Sequence, residues 1–117
     1  MPAEEPLPRR HDADQLRCEV APDGDFVRVR PVGALDVSTA PVLRDKVDEL
    51  RAAGFKRVLL DLSGLEFMDS SGVHLTLALD AEARSDGFTL GLVPGPEPVQ
   101  RLFALTETIE RLPFTER

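Results

Sequence analysis

The chain has 117 residues, which suits one domain, because two domains of half that size would barely offset chain entropy with a buried core. A formal charge of −7, with six Phe and no Trp or Tyr, disfavours nucleic acid, whose phosphates reward Lys and Arg and whose bases reward flat aromatic faces. One cysteine and two distant histidines exclude an internal disulfide and match no metal-ligand spacing.

Residues 1–13 are rich in Pro and charge, show no apolar period and read as a flexible tail, leaving 14–117 as the domain. Nothing resembles a signal peptide and no apolar run is long enough for a bilayer, so a cytoplasmic protein with no membrane partner is expected. Gln15–Val20 and Phe26–Val32 read as strands joined by the turn residues Pro22-Asp-Gly24, an antiparallel hairpin. Cys18 shares a period of two with Leu16 and Val20, as a small buried hydrophobe would. Arg28 and Arg30 alternate with Val27 and Val29, as on a half-wet strand.

Ser38 is the expected N-cap of a first helix, with Pro41 tolerated in its first turn. Leu43, Val47 and Leu50 then recur at helical spacing up to a stop at Gly54. Arg57–Leu62 is a short apolar run suited to a central strand. From Val73 the apolar residues alternate like a strand, but three features predict a helix. Asp69 or Ser70 can cap it, Ala81–Arg84 are good helix formers, and Gly87 ends it. Phe88–Val93 reads as a strand, Pro98 opens a short helix with Val99, Leu102 and Phe103 on one face, and Ile109–Phe114 reads as an edge strand. The order β-β-α-β-α-β-α-β implies an α/β fold with a mixed sheet.

Asp69-Ser-Ser-Gly72 is the densest polar cluster with apolar borders, placed where a strand hands over to a helix. A phosphate on a serine hydroxyl there would meet the positive end of the helix dipole. Simple helix capping also accounts for Asp and Ser at such a place, and the pattern leaves both readings open. Catalysis fits poorly. Met68 replaces the first glycine of a Gly-x-Ser-x-Gly elbow, and His74 stands alone on its helix. A phospho-aspartate receiver using Asp36 or Asp61 lacks an acidic cluster and a well-placed lysine.

Leu60-Asp-Leu-Ser-Gly-Leu-Glu-Phe-Met-Asp-Ser-Ser-Gly72 resembles the anti-sigma factor antagonists of the STAS domain family. Gly33-Ala-Leu-Asp36 is similar to the family's Gly-x-Leu-Asp, and Val99-Gln-Arg-Leu-Phe103 to its late Val-x-Arg-Leu-Phe helix. The resemblance spans roughly residues 14 to 114. It implies the STAS fold: a mixed four- to five-stranded sheet opened by an antiparallel hairpin and covered by three to four helices. It also implies a non-enzymatic switch, without cofactors, that regulates transcription by partner switching. The partners implied are an anti-sigma factor serine kinase of GHKL type and a PP2C-like phosphatase, with the chain itself a monomer or weak dimer. Ser71 is then the phosphorylation site, Ser70 the lesser candidate, and Asp36, Asp69, Ser70, Gly72 and His74 form the partner-binding surface. The alternative is a structural STAS subunit of a transporter or scaffold assembly that is never phosphorylated. Ala34, His74 and the stretch Leu105-Thr-Glu-Thr-Ile109, without the usual glycine, depart from the family pattern.

Overall fold

The computed structural model describes residues 16–115, so the expected tail at 1–13 lies outside the described residues. Strand β1 (Leu16–Asp23) turns at Gly24-Asp25 into β2 (Phe26–Leu35), and the two pair antiparallel along their length. Helix α1 (Ala40–Ala52) leads to β3 (Arg57–Asp61). A single 3-10 turn (Leu62–Gly64) separates β3 from β4 (Leu65–Met68). Helix α2 (Ser70–Asp86), β5 (Thr89–Val93) and α3 (Glu97–Leu105) complete the core.

The five strands form one mixed sheet in the order β1-β2-β3-β5. β1 takes one edge of β2, while the other edge is shared in parallel by β3, at Phe26–Val29, and then by β4, at Gly33–Leu35. The register makes layers across the sheet: Val27, Val58 and Leu90 in one, Val29, Leu60 and Leu92 in the next. Directly paired residues point to the same side, so these six make one apolar face, and all are buried. Helices α1 and α2 pack on this sheet and on each other. Leu43 and Val47 of α1 and Leu79 of α2 are fully buried. Arg44 pairs with Glu82 at 2.7 Å and Arg51 stacks 4.0 Å from the Phe88 ring, tying the two helices together.

The other face of the sheet is ionic. Arg30 reaches Glu19 at 3.0 Å, and Arg57 reaches Asp25 at 3.2 Å. Arg28 pairs with the buried carboxylate of Asp61, its Nε donating at 2.9 Å. Burial opposes the charge on Asp61. The Ser63 side chain and amide and the Arg28 guanidinium nonetheless hold its carboxyl below the ordinary aspartate value.

Four expectations are corrected. The position before the first helix is Thr39 rather than Ser38, whose side chain is exposed, and the Thr39 side chain makes no capping bond to a helical amide. Leu65–Met68 is a strand, its register against β2 shifting between Gly33 and Ala34 with Glu66 as the extra residue. Ile109–Arg111 is a 3-10 turn, and only Phe114 joins the sheet, by one parallel bridge to Leu92. Cys18 is half-buried; burial raises its thiol pKa against the pull of Lys46. Glu107 takes a left-handed φ of 60°, at the position where the resemblance expects glycine.

Candidate functional site

Strands β2 and β4 run parallel with Leu35 opposite Met68, so the next residue of each, Asp36 and Asp69, leaves the same end of the sheet. The Asp69 amide donates to the Leu35 carbonyl at 3.1 Å, fastening the start of α2 to the end of β2. This is the carboxyl end of parallel strands, where α/β sheets place their sites.

Asp69 is the N-cap of α2: its backbone is extended and its Oδ1 accepts the Ser71 amide at 2.8 Å. Ser70 is exposed and Ser71 half-buried. Among the described residues neither serine hydroxyl holds a side-chain or backbone partner, since the recorded bond of Ser71 is made by its amide. Gly72 is buried beneath them. A Cβ at that position would stand 2.6 Å from Met68 Sδ and 3.0 Å from Leu35 Cδ2. The helix start is thus seated directly on the ends of β2 and β4, and any side chain at this position must displace Met68. Thr76, buried one turn on, returns its hydroxyl to the Gly72 carbonyl at 2.8 Å. His74 is exposed, three residues beyond Ser71 on α2.

Asp36 shapes the neighbouring turn. Its Oδ1 accepts the amides of Ser38 at 2.9 Å and Thr39 at 3.1 Å. The buried Thr39 hydroxyl accepts the Asp36 amide at 2.9 Å and donates to the Ala34 carbonyl at 2.7 Å. Both aspartates are therefore held by backbone amides, and neither is recorded as bonded to a serine hydroxyl as a general base would be. Among the described residues no group of three His, Cys, Asp or Glu side chains is arranged to hold a metal ion.

The site thus gathers Asp36, Asp69, Ser70 and Ser71 at one end of the sheet, with Gly72 under them and His74 beside them. Two apolar residues that the sequence did not mark join this surface by position: Val37, 74% exposed, follows Asp36, and Phe67, 53% exposed, precedes Met68 on β4. An apolar residue inside a turn, as at Val37, and the alternation of Phe67 with buried Met68 were the available signals. The arrangement is a surface with free hydroxyls at a helix start, suited to accept a phosphate and to meet a partner.

The STAS_2 family model (Mlab, STAS domain) matches residues 18–109. An anti-sigma-B factor antagonist of Staphylococcus epidermidis is 30% identical over 91 residues, which cover 78% of this chain and 84% of that protein. The crystal structure of an anti-sigma factor antagonist from Mycobacterium paratuberculosis superposes with a TM-score of 0.74 at 26% identity, over 89% of this chain and 88% of that one. The Bacillus protein SpoIIAA shares the fold in both states solved. Its unphosphorylated form gives a TM-score of 0.68 at 22% identity over 87% of this chain and 89% of that one. Its phosphorylated form gives 0.64 at 20% over 87% and 92%. Among the described residues no helix is long and apolar enough to cross a membrane.

Proposed function

The chain belongs to the STAS domain family, and from that premise we propose that it is an anti-sigma factor antagonist that phosphorylation of Ser71 switches off. The unphosphorylated protein binds an anti-sigma factor that is also its serine kinase, using Asp36, Asp69, Ser70 and His74 with Val37 and Phe67 as apolar contacts. A phosphatase restores it. The names of its relatives support the antagonist role.

One observation carries the phosphorylation reading: the Ser71 hydroxyl has no partner among the described residues, while its own amide is held by Asp69 at the start of a 17-residue helix. A phosphate added there meets the helix dipole without displacing an existing side-chain bond. It brings about −1.5 to −2 charges to a surface that already carries Asp36 and Asp69. Against an acidic group of the partner about 6 Å away, at an effective dielectric of about 20, each unit charge costs about 2–3 kcal/mol. That is roughly two decades in affinity.

The test uses Ser71→Ala and Ser71→Asp as parallel baits in native lysate, read by mass spectrometry. Capture of a GHKL-type kinase by the alanine bait and its loss with aspartate is the expected result. Equal capture by both baits would sink the charge switch, and transporter or scaffold subunits held equally by both would favour the structural alternative.

A further inference from the structure

At the edge of the sheet, β1 presents a second surface. Among the described residues this strand is paired on one side only, to β2. The two-residue turn closes on the pair Asp23 and Phe26, so the hydrogen-bonded pairs of the ladder fall at Asp23, Ala21, Glu19 and Arg17. Both prolines of the hairpin agree with that phase. Pro22 opposite Val27 and Pro31 opposite Cys18 occupy the wide pairs, where the β1–β2 ladder asks for no amide. The amides and carbonyls of Leu16, Cys18 and Val20 therefore face the open edge.

Along that edge the side chains run Leu16, Arg17, Cys18, Glu19, Val20, apolar at both ends with a cysteine at the centre and opposite charges on either side of it. We propose that β1 pairs antiparallel with β1 of a second copy of this chain, in the register that sets Cys18 opposite Cys18 and continues one sheet through two molecules. In that register Leu16 meets Val20 of the second copy, Arg17 meets its Glu19, and the outward-facing residues exchange six backbone hydrogen bonds. Arg17 and Glu19 are exposed and already contact each other within the strand at 3.3 Å, so both are present at the edge to pair across it. Neighbouring registers are disfavoured by charge. One sets Glu19 against Glu19 and brings Pro22, which has no amide, into the ladder opposite Leu16, and the other sets Arg17 against Arg17. Charge complementarity thus selects one register and one occupant.

The single cysteine reports on this arrangement. A hydrogen-bonded antiparallel pair places Cα atoms, and Cβ atoms too, about 5.5 Å apart, wider than the Cβ separation of about 3.5–4.5 Å in an unstrained disulfide but within reach of a short bifunctional thiol reagent. The full chain is treated with a short bis-maleimide at neutral pH. Each Cys18 sulfur adds to one maleimide double bond, its thiol hydrogen passing to the neighbouring ring carbon, so that one linker joins the two copies. A covalent dimer on a non-reducing gel is expected, absent in Cys18→Ser. Glu19→Arg, which sets arginines opposite each other at both symmetric positions, should slow its formation about tenfold or more. The swap Arg17→Glu with Glu19→Arg should restore it. Sedimentation of the reduced proteins should rank the same variants in the same order, and circular dichroism verifies that each is folded. Equal cross-linking of all charge variants, or a wild-type chain that stays monomeric and uncross-linked, would overturn the proposal.

Discussion

The starts of α1 and α2 follow neighbouring parallel strands and are both introduced by an aspartate that turns back onto amides two or three residues ahead. At α1 the residue that opens the helix is tied down: Asp36 holds two amides, and the hydroxyl of Thr39, a residue 1% exposed, bridges the Asp36 amide and the Ala34 carbonyl, leaving only the exposed Ser38 hydroxyl of the turn without a partner among the described residues. At α2 the aspartate holds one side-chain-facing amide and the two hydroxyls that follow are left without partners among the described residues. The same opening residue therefore builds a closed corner in one place and an open one beside it. A closed corner stabilises the fold, and an open one leaves groups for chemistry or recognition.

Substitutions can separate the two corners. Gly72→Val, which forces a branched side chain against Met68 and Leu35, should cost about 3 kcal/mol in urea unfolding. A neutral result would mean that α2 is not seated on the strand ends. Thr39→Val removes a buried hydroxyl and strands the Asp36 amide, and should lower stability by about 2 kcal/mol. Asp69→Ala removes the α2 cap, for which about 1 kcal/mol is expected from thermal melting. Ser71→Ala should leave stability within about 0.5 kcal/mol of wild type. If that variant instead lost as much as Thr39→Val, Ser71 would belong to the closed class, and its hydroxyl would serve the fold.

Much of this was legible in residues. The hairpin, α1 and the long α2 follow from turn chemistry, a 3.6-residue period and the Asp69 cap with Gly87, which sits at φ 82° where helices end left-handed. Four residues of β4 were not legible. The extra residue Glu66 breaks the period of two, and pairing with β2, a tertiary contact, makes the strand. The C-terminal stretch misled for the related reason that Phe114 alone finds a strand to pair with. Thr39 displaced Ser38 because its hydroxyl reaches the Ala34 carbonyl five residues back, a distance local preference does not see. In the site, the serines and Asp69 were readable as a capping pattern. The exposure of Val37 and Phe67 was signalled only weakly, by a turn position and by alternation with Met68, because whether an apolar side chain is covered depends on neighbours remote in sequence.

The contact of Gly72 with Met68 and Leu35 also bears on time. A helix start clamped to two strands has no slack through which a change at Ser71 could be slowly absorbed. Any signal written there would be read as fast as groups are added or removed, with no folding or hinge step of its own to delay it. On the proposed function, such a protein keeps no record of its previous state once the group is gone.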